Sequence, residues 1–256
     1  MAAFPGVRRC VLRARRNNLK AVILAAGKGT RMGALTEDTP KAMIRVAGKP
    51  VLEHIIRRMV AAGVSDFVLV TRHLAEQIEA YFGNGSLLGA RIGYVEQTEG
   101  YGTGAALLSA KALADDQPLM LTFADVIVST QTYASVIDAF SDTCGAGIAA
   151  LNWVDDPCSG AAVVVDEAGR IERIVEKPPK GGCVSNWNSA GVFVFDPLIF
   201  GYLEALSPSW RGEYELADAL NAMIADGLAV YPSYLKGDWL DVGTVEALAV
   251  AEKMLG

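Results

Sequence analysis

Short apolar segments rich in β-branched residues alternate along the first half of the chain with segments whose apolar residues recur at helical spacing. This pattern predicts strands over 21–25, 66–71, 91–96 and 118–123, and helices over 51–62, 74–82, 105–114 and 131–140. Strands that alternate with helices indicate parallel strands joined by helical crossovers. We therefore predict an α/β fold, with a Rossmann-like, predominantly parallel mixed sheet flanked by helices on both faces.

The second half has a different rhythm, with several strands in succession before the helices return. Its β-like segments are 145–154, 161–165, 171–175 and 191–195, and its helical segments are 198–206, 214–226 and 245–254. No stretch is rich enough in Pro, Gly or Ser to separate two domains. We predict one domain over 20–256, with two halves, 20–130 and 131–256.

Charge is distributed unevenly between the N-terminus and the rest of the chain. The net charge is −6, but residues 1–19 hold five arginines and no acid, so they contribute +5 and leave −11 for the remainder. An acidic body argues against nucleic acid as the main partner. The basic leader lacks the apolar region of a secretory signal, which leaves a flexible extension, a start codon assigned too early or a targeting segment, and we favour the first two. No apolar run reaches the roughly 18 residues of a membrane span.

The cysteines and histidines give no sign of a metal centre. The four cysteines (Cys10, Cys144, Cys158 and Cys183) form no CxxC pair, and we interpret them as reduced thiols of a cytoplasmic protein. The two histidines, His54 and His73, are expected to be structural, which argues against a zinc site.

A glycine-rich loop follows the first strand. Gly27, Gly29 and Gly33 allow backbone N–H groups to approach an anion, and Arg31 and Lys41 add positive charge. The spacing fits neither the P-loop nor G-x-G-x-x-G. The sequence therefore predicts a nucleoside triphosphate site at the carboxyl end of a strand, the alternative being a plain glycine-rich turn.

Two further positions carry candidate chemistry. Gln97 opens a second glycine-containing loop, and its carboxamide offers both a donor and an acceptor to the imide edge of uracil or thymine. Asp125 follows a buried strand, where a carboxylate can hold Mg²⁺. The alternatives are a helix-capping loop and a turn aspartate, respectively.

Residues 24–41 resemble the signature of the sugar-nucleotide pyrophosphorylases, which join a sugar 1-phosphate to a nucleoside triphosphate. The resemblance extends over about residues 20–250 and implies the glycosyltransferase A-like nucleotidyltransferase fold. It also implies that the loop wraps the triphosphate through Leu24, Ala25, Ala26, Gly27, Gly29 and Thr30. Arg31 would neutralise the leaving pyrophosphate, and Lys41 would contact the phosphates at the reacting centre.

The resemblance assigns the remaining nucleotide and metal residues. Gln97 and Gly102 reproduce the glutamine and glycine, five residues apart, of uridylyl- and thymidylyltransferases, and Thr103 lies in the Gly-Thr-Gly of the acetylglucosamine 1-phosphate uridylyltransferases. Asp125 would be one Mg²⁺ ligand, and Asp241, in a W-x-D-x-G-T motif, the second.

The sugar phosphate would lie against an E-K-P motif and a nearby asparagine. Glu176 would accept hydrogen bonds from sugar hydroxyls, Lys177 would neutralise the phosphate, and Asn188 would contact the sugar or ribose. Two positions depart from the family pattern. Ala124 replaces the glycine before the metal aspartate, and Ala161 stands where a sugar-contacting glycine is common, with Gly160 one residue earlier.

Together these features predict a Mg²⁺-dependent enzyme that transfers a nucleotidyl group from UTP or dTTP to a sugar 1-phosphate, with Arg31, Lys41, Asp125 and Lys177 as catalytic residues. The alternatives are a guanylyl- or cytidylyltransferase acting on a hexose or heptose 1-phosphate, and a non-catalytic nucleotide or sugar-phosphate sensor. No nucleic-acid or membrane partner is expected. Relatives are often homo-oligomers, and the sequence leaves the sugar and the oligomeric state open.

Overall fold

The computed structural model describes residues 19–114, 116–179 and 181–256. Its strands are β1 (Lys20–Leu24), β2 (Arg45–Val46), β3 (Lys49–Pro50), β4 (Asp66–Thr71), β5 (Arg91–Glu96), β6 (Leu119–Phe123), β7 (Val126–Val128), β8 (Gly147–Trp153), β9 (Ala161–Val165), β10 (Ile171–Glu176), β11 (Trp187–Phe195), β12 (Val230–Tyr234) and β13 (Trp239–Asp241). The helices are α1 (Val51–Ala61), α2 (Ala75–Phe82), α3 (Thr103–Ser109), α4 (Lys111–Ala114), α5 (Thr130–Asp142), α6 (Ile199–Glu204), α7 (Leu216–Ala225) and α8 (Val245–Leu255).

The main sheet is parallel in its first half and mixed in its second. Strands β6, β1, β4 and β5 lie side by side and parallel. Strand β11 pairs antiparallel with β6 and with β8, and β12 pairs parallel with β8. The two halves of the chain therefore share one continuous sheet, and the predicted α/β architecture is confirmed.

Alternate residues of the buried strands point to opposite faces of the sheet, and each face carries its own apolar cluster. In β1, Ala21 and Ile23 belong to one cluster, and Val22 and Leu24 to the other. Because both faces are covered by helices, the strand is a nearly continuous apolar run rather than an alternating one. Leu19 is also buried, at 3% exposure, although we had placed it in the N-terminal extension. The rest of that extension, residues 1–18, lies outside the described residues.

Besides the two-residue strands β2 and β3, the described residues contain three strands that the sequence pattern did not predict. These are β7, β12 and β13, of which β12 contains Pro232 and pairs on one side only. Strand β11 is also longer than the predicted 191–195 and carries an irregular register around Gly191, whose φ is 74°. Pairing with distant strands decided these elements, because each is too short or too polar to stand out locally.

The structure also bears on the expected role of His54 and on the expected absence of a membrane span. His54 has a structural contact, as predicted, because its Nε2 lies 2.8 Å from the Val46 carbonyl oxygen. Among the described residues, no helix is long and apolar enough to cross a membrane.

Candidate active site

The glycine-rich loop leaves the end of β1 and closes on itself through one threonine. Gly29 and Gly33 adopt positive φ values of 67° and 54°, which favour glycine. The Thr36 hydroxyl lies 3.0 Å from the Gly29 carbonyl oxygen and 3.1 Å from that of Gly33. A Cβ on Gly29 would lie 2.9 Å from the Thr36 Cγ2, so the loop is tightly packed at this point.

The start of the same loop is open. Gly27 and Lys28 are exposed, and their N–H groups have no hydrogen-bond acceptor among the described residues. A Cβ on Gly27 would meet no atom within 4 Å. Leu24, Ala25 and Ala26 are buried beneath this opening. An exposed run of unpaired N–H groups at a strand end can bind an anion.

Two small strands bring together the two predicted metal ligands, which are far apart in sequence. Strand β13 pairs antiparallel with β7, and Asp241 lies opposite Val126. The Val242 N–H donates to the Asp125 carbonyl oxygen at 2.8 Å. Asp125 and Asp241 therefore lie at the same edge of the sheet, beside the carboxyl ends of β1 and β6.

Three basic side chains surround this carboxylate pair. Lys41 forms an ion pair with Asp125, and its side chain is only 11% exposed. The Nη2 of Arg31 would lie 3.3 Å from a Cβ placed on Gly243, so Arg31 reaches the loop that follows Asp241. Burial raises the pKa of Asp241, and the positive charges of Lys41, Arg31 and Lys177 oppose that rise, so Lys177 is within electrostatic range as well.

The strongest influences on Asp241 nevertheless act in the opposite direction. Burial raises the pKa of Asp241, and the negative charge of Asp125 raises it further. Its Oδ1 is buried and has no hydrogen-bond partner in the described part of the chain. A buried carboxylate oxygen without a partner is costly, and a cation would satisfy it.

The donor set fits Mg²⁺. This ion uses one or two carboxylates and fills its remaining positions with water and substrate phosphates. The described residues contain no group of three or more His, Cys, Asp and Glu side chains that could hold a metal on its own. Asp125 and Asp241 match this limited protein contribution.

Ala124 fits the backbone beside Asp125 without strain. It is buried, its φ is not positive, and its N–H donates to the Leu24 carbonyl oxygen at 3.0 Å. The backbone conformation at this position is therefore open to any residue, and the methyl group is accommodated.

The predicted base-binding loop begins directly after β5. Gln97 is 4% exposed, and its Nε2 lies 3.5 Å from the Gly100 carbonyl oxygen. Gly102 has a φ of 111°, and a Cβ there would lie 2.5 Å from the Tyr214 carbonyl oxygen. This glycine is therefore required by close packing of two backbone segments. The Thr103 hydroxyl accepts a hydrogen bond from the Leu216 N–H at 3.0 Å, which ties the loop to the start of α7.

The predicted sugar-phosphate residues meet at the base of the β9–β10 hairpin. Glu176 pairs with Ala161 in the ladder, and the Lys177 N–H donates to the Gly160 carbonyl oxygen at 2.9 Å. Lys177 has a φ of 42°, a left-handed conformation that is unfavourable for a lysine.

The glycine next to Ala161 is the one that the local packing requires. A Cβ on Gly160 would lie 2.5 Å from the Asn188 Oδ1. Asn188 is itself buried, and its Nδ2 donates to the Pro157 carbonyl oxygen at 2.9 Å. The position that has no room for a side chain is therefore Gly160, one residue before Ala161.

An arginine that the sequence analysis did not identify lies beside Glu176. Arg211 is 3.7 Å from Glu176, 2.8 Å from Glu213 and 3.2 Å from Glu215. Burial raises the pKa of Glu176, the charge of Glu215 raises it further, and Arg211 opposes both effects. The acidic residues Glu213 and Glu215, two and four positions after Arg211, were the sequence signal for a charge cluster here. The contact of Arg211 with Glu176 depends on the tertiary fold.

The interpretation of all four cysteines as reduced thiols is wrong for one pair. Cys158 and Cys183 form a disulfide, with their Cα atoms 5.9 Å apart. They are 25 residues apart in sequence and follow no recognisable spacing, so only the folded hairpin brings them together. The Cys158 Sγ lies 3.7 Å from the carbonyl oxygen of Pro179, two residues after Lys177.

Comparisons with known proteins agree with this geometry. A family model described as nucleotidyl transferase matches residues 20–255. The chain is 38% identical to the bifunctional protein GlmU of Methanococcus maripaludis, over 88% of this chain and 51% of that protein. It is 33% identical to the UTP–glucose-1-phosphate uridylyltransferase AglF of Haloferax volcanii, over 93% of this chain and 96% of that protein.

A solved structure described as UDP-glucose pyrophosphorylase complexed with UDP-glucose superposes with a TM-score of 0.84. Its identity is 25%, and the match covers 92% of this chain and 97% of the other. The chain spans about half to two thirds of the length of several of its relatives, from 51% for GlmU of Methanococcus maripaludis to 66% for a glycan biosynthesis nucleotidyltransferase of Haloferax volcanii. These matches confirm both the predicted fold and the resemblance drawn from residues 24–41.

Proposed function

The chain belongs to the nucleotidyl transferase family, and on that premise we propose that it transfers a nucleotidyl group from a nucleoside triphosphate to a sugar 1-phosphate. The products are a nucleoside diphosphate sugar and pyrophosphate. The observation that carries the proposal is the convergence of Arg31, Lys41, Lys177 and the Asp125–Asp241 pair at one edge of the sheet. A glycine-rich turn with a purely structural role would not require three basic residues and two aspartates to meet beside it.

The reaction we propose is a direct displacement without a protein nucleophile. An oxygen of the sugar 1-phosphate attacks the α-phosphorus, the bond from that phosphorus to the bridging oxygen breaks, and pyrophosphate leaves on the opposite side. Both reactants are anions, so catalysis consists of holding them in line and neutralising their charge. Bound Mg²⁺ would supply further charge neutralisation between the phosphates.

Each basic residue has a place in this scheme. The open N–H groups of the loop at Gly27 and Lys28 would receive the triphosphate. Arg31 would stabilise the departing pyrophosphate, and Lys41, now paired with Asp125, would move between that carboxylate and the phosphates. Lys177 would neutralise the incoming sugar phosphate, with Glu176 beside it to accept hydrogen bonds from sugar hydroxyls.

UTP or dTTP is the donor that we favour. Gln97 is buried at the end of β5 and supplies a carboxamide, which can pair with the imide edge shared by uracil and thymine. One full-length relative is named a UTP–glucose-1-phosphate uridylyltransferase. Glucose 1-phosphate and UTP are therefore the first pair to test. Acetylglucosamine 1-phosphate is next, because Gly102-Thr103-Gly104 resembles the segment of the acetylglucosamine 1-phosphate uridylyltransferases.

The test is pyrophosphate release from the purified protein. Each of UTP, dTTP, GTP, CTP and ATP is incubated with each of a panel of sugar 1-phosphates, with Mg²⁺ and with EDTA in its place. Release that requires Mg²⁺, one sugar phosphate and UTP or dTTP is the expected result. Release with GTP or CTP and a hexose or heptose 1-phosphate would replace our choice of nucleotide.

A non-catalytic sensor is the alternative from another functional class. It predicts tight nucleotide or sugar-phosphate binding without turnover for every pair in the panel. The buried Oδ1 of Asp241, which has no hydrogen-bond partner among the described residues, weighs against it, since a binding protein need not retain a second carboxylate for a metal. The division into nucleotide and sugar-phosphate halves, a cytoplasmic location and homo-oligomer assembly stay predictions.

A further inference from the structure

We propose that the Cys158–Cys183 disulfide positions the sugar-phosphate subsite and that its reduction selectively weakens binding of the sugar phosphate. This inference rests on the function proposed above, because it assigns Glu176 and Lys177 to that substrate. The disulfide connects the segment that enters β9 with the segment that leaves β10. It therefore closes the base of the hairpin that carries both residues.

The contacts around the disulfide continue the hairpin ladder toward the subsite. Ala161 pairs with Glu176, and the Gly160 carbonyl oxygen accepts from the Lys177 N–H at 2.9 Å. Beyond these pairs the chain leaves the sheet, and the disulfide is a covalent connection between the two segments that extend from the strands. The Cys158 Sγ also lies 3.7 Å from the Pro179 carbonyl oxygen.

The backbone of Lys177 explains why such a connection matters. Its φ of 42° is a sparsely populated conformation for a residue with a side chain. Strained conformations persist only where the surrounding structure holds them in place. On one side Lys177 is held by the β10 ladder and the Gly160 contact, and on the other the chain turns through two prolines toward Cys183. The disulfide fixes the far end of that turn.

The described residues between Lys177 and Cys183 make one backbone hydrogen bond to each other. Gly181 and Gly182 precede Cys183 and are exposed, and the Gly182 N–H donates within the turn, to the Pro179 carbonyl oxygen at 2.8 Å. Without the covalent link, the loop and Lys177 would gain conformational freedom, which substrate binding would have to remove. The disulfide reduces that entropic cost in advance.

The chemistry of opening the link is ordinary thiol–disulfide exchange. Two molecules of a low-molecular-weight thiol donate two electrons and two protons, leave as their own disulfide, and generate the Cys158 and Cys183 thiols. Both cysteines are partly exposed, so a small thiol can reach them. In a reducing compartment, disulfides of this kind are transient rather than permanent.

The experiment compares oxidised and reduced protein, using glucose 1-phosphate and UTP as the probe pair. The double variant Cys158→Ser/Cys183→Ser mimics the open state, and Cys144→Ser is the matched control for loss of a thiol elsewhere. Alkylation followed by mass spectrometry reports which cysteines are oxidised. We expect reduction, and the double variant without reduction, to raise the KM for glucose 1-phosphate about tenfold, the cost of re-ordering about one residue. The KM for UTP should change less than about twofold, a difference below about 0.5 kcal/mol. In Cys144→Ser, the KM for glucose 1-phosphate and the KM for UTP should both stay within the same limit.

Other outcomes would overturn the proposal. An unchanged KM for glucose 1-phosphate on reduction would contradict it, as would an equal rise in both KM values, which indicates general loosening. Alkylation of both cysteines in the oxidised sample would show that the disulfide does not form. If no pair in the panel turns over, the proposed function fails, and hydrogen exchange decides the positioning role separately. Faster exchange across 177–185 on reduction would support it, and unchanged exchange would refute it.

Discussion

Three glycines of the loop after β1 differ in backbone conformation and in the space around them. Replacing each by alanine therefore tests backbone strain, packing and phosphate binding separately. Gly27 has an ordinary φ and open space around its Cβ position. Gly33 has a φ of 54° but also open space. Gly29 combines a φ of 67° with Cβ contacts at 2.9 Å to Thr36 and 3.0 Å to Lys41. The substitutions therefore add the two unfavourable terms one at a time.

The magnitudes follow from those geometries. Gly33→Ala should lose about 2 kcal/mol of folding free energy through backbone strain alone. Gly29→Ala should lose about 2 kcal/mol more, because overpacking adds to the strain. Gly27→Ala should be neutral or gain up to about 1 kcal/mol, since alanine restricts the unfolded chain. At about 2–4 °C per kcal/mol for a chain of this size, the Tm should fall by about 4–8 °C for Gly33→Ala and about 8–16 °C for Gly29→Ala.

Activity should rank the glycines differently. The methyl group of Gly27→Ala would enter the space beside the open N–H groups, where the triphosphate would lie, so the KM for UTP should rise about tenfold, or about 1.4 kcal/mol. The assays are thermal unfolding and initial rates of pyrophosphate release. A wild-type Tm for Gly29→Ala would refute the described packing of the loop. A wild-type KM for Gly27→Ala would refute its role in phosphate binding.

Four further predictions test other parts of the site and the fold. Arg31→Ala and Asp125→Ala should each reduce kcat by orders of magnitude with an unchanged circular dichroism spectrum, and wild-type rates in either variant would reject the assignment. Gln97→Ala should reduce the preference for UTP or dTTP over GTP and CTP in competition assays; an unchanged preference would place base recognition elsewhere. Arg211→Ala should leave the nearby glutamates without their cation and raise the KM for the sugar phosphate, while Arg211→Lys should restore part of the loss; equal values for both variants would exclude a charge effect. Burial raises the pKa of Asp196, so its contribution to stability is fully present below the unfolded pKa, about 4 for an ordinary aspartate, and is lost as pH rises through the folded pKa. The stability of Asp196→Asn relative to wild type should therefore be higher at pH 7 than at about pH 3.5. Urea unfolding of both proteins at the two pH values measures this difference, and a lower relative stability at pH 7 would contradict the prediction.

Much of the fold could be predicted from sequence because its signals are local. Strands 66–71, 91–96 and 161–165 have the predicted bounds, since each is an apolar run bounded by turn residues. The order of glycines, Arg31 and Lys41 after β1 likewise indicated phosphate chemistry, because a loop of this composition has few other uses. Local periodicity and a contiguous motif are both properties of neighbouring residues.

Only the tertiary structure decided which distant residues meet. Strands β7 and β13 are three residues each, and their pairing places Asp241 beside Asp125. Cys158 reaches Cys183 because the β9–β10 hairpin brings its two ends together. Arg211, in the segment between α6 and α7, reaches Glu176 at the end of β10. Sequence determines which elements form, through short-range preferences of the backbone and apolar side chains. Contacts between elements depend on how the sheet pairs and packs, and no local pattern along the chain records them.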